Sequence, residues 1–448
     1  MSIATILLAA GKGTRMNSDL PKVLHPIAGA PMLVHAMRAA AALEPARMVV
    51  VGGHGLDQVR AAALAFAPAA DVVEQAEQRG TGHATQMAEA ALDGFEGTVL
   101  VMYGDTPFVR PETLTALTEA AELFDVAVLG FEAADPGRYG RLITRGDALE
   151  RIVEAKDATD AERAVTLCNS GVMACRAPLI WELLAEVTDD NAAGEFYLTD
   201  LPALARARGL TAGVVTCEEA ETLGVNSRTE LAAADALFQA RAKAALVEDG
   251  VTLLDPASTY LAFDTVIGRD STIDPNVYFG PGVTVESGAH IRAFSHLEGC
   301  HVARGAIVGP FARLRPGAEL AEDTRVGNFV EIKNAQVHEG AKVNHLSYVG
   351  DATIGARANI GAGTVTCNYD GFAKHHTEIG AGAFIGSDTM LVAPVRIGVG
   401  AMTVTGSVIT EDVPDDAVAF ARARQDTKPG HASKLFDMLK ARAAQRKG

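Results

Sequence analysis

The sequence predicts an α/β domain followed by a parallel β-helix, with a single helix between them. In the first half, short apolar runs alternate with alanine-rich amphipathic stretches, whereas the second half repeats an aliphatic or aromatic residue every six positions. The 448 residues also exceed what one hydrophobic core usually holds. We therefore place an N-terminal domain at residues 1–228, a linker helix at 229–249 and a C-terminal domain at 250–448.

The alternation in the first half is typical of a doubly wound, parallel sheet. The predicted strands are IATILLAA, RMVVVGG, GTVLVMYGD and VAVLGFE, and the predicted helices are PMLVHAMRAAAAL, HATQMAEAAL and ETLTALTEAAEL. Ligands of such sheets bind beyond the carboxyl ends of the strands. The glycine loop after the first strand and the Tyr103-Gly104-Asp105 segment after the third both lie at such ends.

The segment SRTELAAADALFQARAKAAL, residues 227–246, contains no Gly or Pro and predicts a rigid connecting helix. After it, the spacing of six defines the repeat, which is typical of a parallel β-helix whose coils stack their apolar residues. A β-sandwich would instead give alternating residues at irregular spacing. TCNYDGFAKHHTE, residues 366–378, interrupts the repeat and predicts an excursion loop. The repeat residues are Ile267, Ile273, Phe279, Val285, Ile291, Val302, Val308, Leu314, Leu320, Val326, Ile332, Ile379, Ile385, Leu391, Ile397, Thr403 and Ile409.

Composition restricts the partners and the compartment. The net charge of −17 argues against nucleic acid or an anionic membrane as the partner of the whole chain, although eight Lys/Arg and two Asp follow from Arg422 onward. Five cysteines, an odd number without CxxC spacing, argue against a disulfide framework or a zinc site. With neither a leader pattern nor a membrane-spanning apolar stretch, we expect a cytoplasmic protein.

The run LLAAGKGTRMNSDLPKVL, residues 7–24, ends an apolar strand in a glycine loop. It does not match the P-loop pattern GxxxxGK[ST], because Gly13 follows GK, and it lacks the dinucleotide fingerprint because Met16 replaces the third glycine. Exposed backbone N–H groups and nearby cations would suit a nucleotide triphosphate. A glycine-rich strand-to-helix turn with solvated charges is the alternative, and GKG alone does not exclude it. The nearby cations are Lys12, Arg15 and Lys22.

Other motifs of the first half favour the nucleotide. LAAGKGTRM with its following PK, QAEQRGT at 75–81, YGD at 103–105 and GVN at 224–226 together resemble the sugar-1-phosphate nucleotidyltransferases. GRYGR around Gly140, IVEAKDA around Glu154 and CNSGV around Asn169 narrow the match. With the hexapeptide half, the chain resembles the bacterial bifunctional N-acetylglucosamine-1-phosphate uridyltransferases and glucosamine-1-phosphate acetyltransferases over nearly its whole length.

This resemblance implies a Rossmann-like nucleotidyltransferase domain and a left-handed β-helix. It also implies two reactions. Glucosamine-1-phosphate is acetylated by acetyl-CoA, and N-acetylglucosamine-1-phosphate then reacts with UTP to give UDP-N-acetylglucosamine and pyrophosphate, which feeds peptidoglycan and lipopolysaccharide synthesis. The sugar phosphate is already a nucleophile, so uridyl transfer needs alignment and charge neutralisation rather than a protein base.

For uridyl transfer, the resemblance assigns Mg²⁺ to Asp105 and Asn226, and neutralisation of the triphosphate to Arg15 and Lys22. The residues implied to contact the nucleotide are Leu8, Ala9, Ala10, Gly11, Tyr103 and Gly104, with Gln75, Gly80 and Thr81 at the uracil. Those implied to hold the sugar are Gly140, Glu154 and Asn169.

In the second half, polar residues interrupt the repeat where stacking favours small or apolar ones: Arg315, Lys333, His345 and Tyr348. By resemblance, Arg315 and Lys333 bind the sugar phosphate and His345 removes the proton from the substrate ammonium. We also predict that Glu331 orients His345. The remaining implied contacts are Asn359 to the sugar, and Ala362, Asn368, Tyr369, Ser387, Thr405 and Arg422 to acetyl-CoA.

The resemblance further implies a homotrimer that shares its acetyl-CoA sites between chains, with the 366–378 loop as an arm. The His375-His376 pair in that loop has no third ligand nearby, so we expect it to be solvated. Two alternatives remain: a nucleotidyltransferase whose β-helix only oligomerises, and a regulatory subunit that binds sugar nucleotides without turnover. The polar set of the second half argues against the first, and the intact Asp105, Asn226 and Lys22 argue against the second.

Overall fold

The structure is a computed structural model that describes residues 2–146 and 148–446. The chain divides into two compact units, residues 1–244 and 245–448. The boundary lies inside the predicted connecting helix, which runs Arg228–Glu248. Within the described residues, no helix combines the length and apolar character needed to cross a bilayer.

The first unit is an α/β sheet with helices on both faces. Its strands are β1 (Ile3–Ala9), β2 (Pro26–Ile27), β3 (Ala30–Pro31), β4 (Arg47–Gly52), β5 (Asp71–Glu74), β6 (Thr98–Tyr103), β7 (Val126–Glu132), β8 (Arg141–Arg145), β9 (Ala148–Val153), β10 (Leu167–Arg176) and β11 (Ala212–Cys217). Its helices are α1 (Met32–Ala41), α2 (Leu56–Phe66), α3 (Thr81–Gln86), α4 (Pro111–Leu123), α5 (Asp160–Arg163), α6 (Ala177–Leu184), α7 (Leu201–Ala207) and the first part of α8 (Arg228–Glu248).

The main sheet has the order β11-β7-β10-β6-β1-β4-β5. β1 is parallel to both β4 and β6, as predicted, but β10 is antiparallel to both β6 and β7. The prediction of a wholly parallel sheet is therefore wrong at β10. Between β7 and β10 the chain forms the β8–β9 hairpin and the one-turn α5 instead of a long crossover helix, so β10 enters the sheet in the opposite direction.

The apolar run of β1 serves two cores. Ile6 and Leu8 belong to the core on one face of the sheet, and Leu7 and Ala9 to the core on the other. Successive side chains of a strand point to opposite faces, so a strand covered on both faces needs an uninterrupted apolar sequence. This explains why the run shows no alternation.

The second unit is a β-helix in which every strand pair is parallel. Its strands form three faces that the chain visits in turn. Face 1 contains β13 (Val266–Ile267), β16 (Thr284–Val285), β19 (Cys300–Val302), β22 (Ala318–Leu320), the end of β24 (Glu331–Val337), the end of β26 (Tyr348–Ile354), β29 (Thr377–Ile379) and β32 (Val395–Ile397).

Face 2 contains β12 (Thr252–Leu253), β14 (Thr272–Ile273), β17 (His290–Ile291), β20 (Ile307–Val308), β23 (Arg325–Asn328), β25 (Lys342–His345), β27 (Asn359–Ile360), β30 (Phe384–Ile385), β33 (Met402–Thr403) and β35 (Val418–Ala419). Face 3 contains β15 (Tyr278–Phe279), β18 (His296–Leu297), β21 (Arg313–Leu314), the beginnings of β24 and β26, β28 (Val365–Cys367), β31 (Met390–Val392) and β34 (Val408–Ile409). The exposed helix α9 (His431–Gln445) follows the β-helix.

The predicted repeat residues are all buried, which confirms the period of six. The period also continues through Leu297, which is fully buried. A five-residue step then leads to Val302, and a similar step precedes Val337, so the register restarts where one corner is a residue shorter. The excursion loop leaves the helix between β28 and β29, and its Phe372 is 97% exposed.

Candidate active sites

Two adjoining pockets open at the carboxyl ends of β1 and β6, and they share Thr81, Tyr103, Asp105 and Glu195. The first is lined by Leu8, Ala9, Ala10, Gly11, Lys22, Val23, Gln75, Gln78, Gly80, Thr81, Ala84, Tyr103, Asp105 and Glu195. The second is lined by Arg15, Thr81, Tyr103, Asp105, Thr106, Arg138, Tyr139, Gly140, Glu154, Asn169, Ser170, Gly171, Glu195, Tyr197, Thr199, Thr222, Gly224, Asn226 and Glu230. The structure thus brings most of the predicted nucleotide residues to the first pocket, and the predicted sugar residues together with Arg15 to the second.

Of the residues predicted for this site, Gly104 alone lines neither pocket. Its N–H donates to the carbonyl of Leu8 at 2.9 Å. Gly104 therefore ties the end of β6 to β1 behind the pocket wall.

Lys22, Asp105 and Asn226 meet where the two pockets join. The Lys22 ammonium forms an ion pair with Asp105 Oδ2 and donates to Asn226 Oδ1 at 3.1 Å. The backbone holds this arrangement, because Val225 N donates to the carbonyl of Asp105 at 3.1 Å. Glu230, in the first turn of α8, accepts from Asn226 N at 2.6 Å. Residues far apart in the sequence are thus fixed at one point.

The glycine loop does not open a helix. After β1 the chain forms two short 3-10 turns, Thr14–Met16 and Lys22–Leu24, and the next α-helix begins only at Met32. The side of the loop from Leu8 to Gly11 lines the first pocket, and Arg15 lines the second. This placement favours a ligand-binding loop over a strand-to-helix turn, since no helix follows it.

At the end of the first pocket where uracil is predicted to bind, Gln75 is 3% exposed and its side chain already contacts other protein groups. Gln75 Nε2 donates to the carbonyl of Gly80 at 3.0 Å and lies 3.0 Å from His83 Nδ1. Gln78 and Glu195 line the same pocket but were not predicted. Gln78 lies inside the QAEQRGT motif, whereas nothing in the sequence around Glu195 marks it.

In the second pocket, an irregularity of β10 presents the sugar residues. The register of β10 against β7 shifts between Asn169 and Met173. Within this bulge Asn169 Oδ1 accepts from Gly171 N at 3.0 Å. Gly171 has φ +88°, and a β carbon there would lie 2.5 Å from the Tyr103 ring. Glycine is therefore required both for the backbone and for the packing of Tyr103.

Two carboxylates here carry raised pKa values: Glu154, which lines the second pocket, and Asp200, which directly follows the lining residue Thr199. Burial raises the pKa of Glu154, although Thr199 Oγ1 donates to it at 3.1 Å. Burial and the neighbouring Glu154 and Asp157 raise the pKa of Asp200 to about 6. Burial thus disfavours the ionised form of both carboxylates.

The residues assigned to Mg²⁺ fit the ion by chemistry and placement. Asp105 and Asn226 offer a carboxylate and an amide oxygen, the hard ligands that Mg²⁺ prefers. Both oxygens contact one Lys22 ammonium, so they already surround a single positive charge. Two protein ligands are typical of Mg²⁺ sites that complete their shell with phosphate and water.

In the second unit, His345 is exposed at the end of β25 and pairs with Asn328 one coil below. His345 Nδ1 lies 2.8 Å from Asn328 Oδ1, so Nδ1 carries the hydrogen and Nε2 is left as the basic nitrogen. Glu331 does not take this role: its Oε1 accepts from Arg315 Nη1 at 2.8 Å. The prediction that Glu331 orients His345 is wrong, because β24 aligns Glu331 with Arg313 of β21 and its carboxylate forms ion pairs with Arg313 and Arg315.

Three of the six residues assigned to acetyl-CoA, Ala362, Ser387 and Thr405, stack above His345 at the corner where face 2 ends. The backbone bonds from Gly363 N to His345 O (3.3 Å), from Asp388 N to Ala362 O (2.7 Å) and from Gly406 N to Ser387 O (2.8 Å) connect successive coils there. We call this stack of residues the His345 column. It consists of Asn328, His345, Ala362, Ser387 and Thr405. Arg422 lies beside its upper end, since its Cδ would be 3.9 Å from a β carbon at Gly406.

Arg315, Lys333 and Tyr348 lie on face 3, which follows that corner. Tyr348 is at the near end of the face, and Lys333 is at its far end beside Gly350 of the next coil. Asn359 lies on face 2, beside Lys342 of the preceding coil. The structure thus places these four residues on the two faces that meet at that corner.

Asn368 and Tyr369 begin the excursion loop. Asn368 is buried, whereas Tyr369 is 57% exposed under the ammonium of Lys374. The histidines of the loop were predicted to be solvated; His375 is partly exposed and His376 is exposed, and each also has a protein partner. His375 pairs with Asp370 at 2.6 Å, and His376 Nε2 lies 3.1 Å from Thr353 Oγ1. His375 and His376 are adjacent in the sequence but contact different residues.

Comparison with known proteins gives matches in both halves. Residues 5–194 match the model of the MobA-like NTP transferase domain, and residues 264–299 match that of the bacterial transferase hexapeptide, six repeats. "Bifunctional protein GlmU" of Ruegeria sp. (strain TM1040) is 67% identical over 449 residues, covering 100% of both chains. The proteins of the same name from Ruegeria pomeroyi (66%, 100% of this chain and 99% of the relative) and Roseobacter denitrificans (64%, 99% of each) are similarly close.

The chain belongs to the GlmU family. This confirms the resemblance read from the motifs, and it confirms the fold class, a nucleotidyltransferase domain followed by a left-handed β-helix of hexapeptide repeats. As a GlmU family member, the chain acts on sugar phosphate and nucleotide substrates. Asn328 is the main residue of the GlmU acetyl-transfer region that the sequence did not reveal. The coil length of 17 residues would have placed it under His345.

Proposed function

We propose that this chain acetylates glucosamine-1-phosphate with acetyl-CoA and couples N-acetylglucosamine-1-phosphate to UTP, giving UDP-N-acetylglucosamine and pyrophosphate. One observation carries the proposal. Lys22, Asp105 and Asn226 converge between two pockets in the first unit, while His345 with a fixed tautomer adjoins Arg315 and Lys333 in the second. A purely structural β-helix would not need the second set.

In uridyl transfer, the first pocket holds the nucleotide and the second holds the sugar phosphate. Mg²⁺, when bound by Asp105 and Asn226, would supply positive charge at the phosphates. Lys22 and Arg15 hold the triphosphate as it accumulates charge, and the sugar-phosphate oxygen attacks without a protein base. Lys22 faces both proposed metal ligands, and this contact supports its role at the reacting phosphates.

In acetyl transfer, the amino sugar lies across face 3. Arg315 and Lys333 bind its phosphate at the far end of the face, and His345 Nε2 takes a proton from the ammonium at the near corner. The free amine then attacks the thioester carbonyl, and coenzyme A leaves as the thiol. Asn328 holds the His345 ring so that its basic nitrogen faces the substrate.

We also propose that the chain works as a homotrimer in the cytoplasm. Exposed apolar residues form a stack at the corner beside the His345 column, with ring centroids 4.9 and 5.3 Å apart. This corner ladder consists of Phe294, Phe311, Phe329 and Leu346. A contiguous exposed apolar surface supports self-association, and its position beside His345 supports acetyl-CoA sites shared between chains. The five unpaired cysteines suit a reducing compartment.

A coupled assay tests the function. Purified protein receives glucosamine-1-phosphate, acetyl-CoA, UTP and Mg²⁺, and the release of thiol and pyrophosphate is measured separately. Both products are expected. A second assay supplies N-acetylglucosamine-1-phosphate and UTP. If it releases pyrophosphate from UTP while the coupled assay releases no thiol, the protein is the single-activity nucleotidyltransferase. Binding of substrates without either product would indicate the regulatory subunit.

A further inference from the structure

Asp351 lies at the corner where β26 passes from face 3 to face 1, and both of its carboxylate oxygens accept from amide groups. Oδ1 accepts from Asn334 Nδ2 at 2.6 Å, and Oδ2 accepts from Asn368 Nδ2. Each asparagine is 17 residues from Asp351, so the three side chains stack at one corner of successive coils.

This contact defines the orientation of the Asn368 amide. A carboxylate can only accept hydrogen bonds, so the NH₂ group of Asn368 must face Asp351 and its Oδ1 must face away. Asn368 is 5% exposed, which leaves water little room to compete for the contact. A neutral partner that could both donate and accept would allow the amide to flip.

Asn368 also lies beside Tyr348, one of the residues of face 3 assigned to acetyl transfer. A β carbon at Gly350 would lie 2.4 Å from Tyr348 Oη and 2.8 Å from Asn368 Nδ2, so only glycine lets these two side chains approach each other. Thr366 holds the glycine from inside the coil: its Oγ1 accepts from Gly350 N at 2.8 Å and donates to Gly350 O at 3.1 Å. Asp351 follows directly on this glycine.

Asp351 remains a carboxylate at neutral pH. Burial raises its pKa, but the hydrogen bonds from Asn334 and Asn368 and the nearby charges of Lys374 and Lys333 lower the pKa below its usual range. Its accepting character is therefore retained wherever the enzyme works.

We propose that Asp351 is a positioning residue for acetyl transfer, which holds the amide of Asn368 so that Oδ1 accepts from an N–H group of a bound substrate. Both the pantetheine arm of acetyl-CoA and the amino sugar carry such donors. The inference rests on the proposed acetyltransferase function and deepens it, because it assigns a role to a residue outside the predicted set.

The test uses the full-length chain and measures kcat and KM of acetyl transfer, with uridyl transfer by the same preparation as a control for folding. Asp351→Ala is expected to lower kcat/KM of acetyl transfer about 10- to 100-fold, and Asp351→Asn, which keeps one accepting oxygen, less. The matched control is Asn334→Ala, which removes the other partner and should change the rate less than about twofold. A rise in the KM for acetyl-CoA alone would assign the donor to the pantetheine arm, and a rise for the amino sugar alone to the sugar.

A double variant separates positioning from a general structural effect. If Asp351 acts through Asn368, Asp351→Ala combined with Asn368→Ala should be no slower than Asn368→Ala alone. Additive losses, or an equal loss in Asn334→Ala, would overturn the inference.

A crystal structure of the Asp351→Ala protein gives a readout that does not depend on turnover. The Asn368 amide is expected to rotate or to occupy two orientations, and an unchanged single orientation would overturn the inference. If the wild-type chain releases no thiol from acetyl-CoA, the proposed function fails. The crystal structure of the Asp351→Ala protein still shows, independently, whether Asp351 holds the Asn368 amide in one orientation.

Discussion

Asp105 is the residue on which uridyl transfer depends most directly, because it is both a proposed metal ligand and the ion-pair partner of Lys22. We expect Asp105→Ala to abolish uridyl transfer and to leave acetyl transfer nearly unchanged, since the second unit has its own polar set. Both activities are measured on one preparation, with Asp93→Ala, an exposed position of the same unit, as the control. Equal loss of both activities in folded protein would contradict separate sites.

His345 is the corresponding residue for acetyl transfer. His345→Ala should lower kcat about 10²- to 10⁴-fold, more than it affects substrate affinity, while UTP turnover persists. Raising the pH should partly restore the variant, because more free amine is then present in solution. The matched control is His338→Ala, which changes an exposed histidine in the same block. A near-normal kcat at neutral pH would show that another group or water takes the proton.

Asp200 provides a test of the electrostatics around the second pocket. Its folded pKa of about 6 lies above the ordinary value of 3.8, so the ionised form destabilises the fold at pH above about 6, and this penalty disappears as the pH falls toward 4. Asp200→Asn should therefore raise the thermal midpoint at pH 7.5 but not at pH 4. Asp160→Asn, at a fully exposed side chain, should change neither. A gain of the same size at both pH values would contradict the raised pKa.

At the scale of single elements, the bulge in β10 links backbone geometry to the sugar pocket. Gly171→Ala would force a β carbon into the Tyr103 ring, so we expect a loss of uridyl transfer of about tenfold or more, with acetyl transfer retained. Gly146→Ala is a control for positive φ alone, because its φ is +62° and no atom lies within 4 Å of its β-carbon position. Equal losses in both variants would assign the effect to backbone strain rather than to the contact with Tyr103.

The elements also show where prediction from sequence succeeds. The four predicted strands and the connecting helix agree with the structure to within about two residues at each end, because each has a continuous apolar run or an uninterrupted helical composition. The predicted helix HATQMAEAAL is broken into α3 and a 3-10 turn at Ala90–Leu92. Strands β5 and β8 to β11 were not predicted, since they lack equally strong apolar periodicity.

At the scale of the whole molecule, two compact units predict two separable activities. A fragment from about Leu246 onward is expected to form trimers and to acetylate, and residues 1–228 are expected to be monomeric and to uridylate. Sedimentation and the two assays check both expectations, and a monomeric C-terminal fragment would contradict the proposed trimer. Phe311→Glu in the full chain should shift it toward monomer if the corner ladder forms the interface.

The structure refines where the first unit should be cut. α8 contacts that unit beyond residue 228, since Asp235 Oδ1 accepts from Ala28 N at 2.8 Å and Arg228 Nε donates to the carbonyl of Met16 at 3.2 Å. A fragment of residues 1–244 should therefore unfold at a higher temperature than one of residues 1–228. Equal midpoints would show that these contacts add nothing measurable.

The sequence by itself determined both fold classes and their order, because periodicity and motif spacing are properties of the local chain. The site residues were predicted from the family resemblance that its motifs carry. Only the tertiary structure decided which side chains face each other: β10 runs antiparallel, Lys22 bridges Asp105 and Asn226, and Asn328 rather than Glu331 holds His345. In a β-helix, a coil of 17 or 18 residues sets which side chains stack, and one residue more or less exchanges the partner. Such contacts depend on the summed geometry of many turns, which no single stretch of sequence contains.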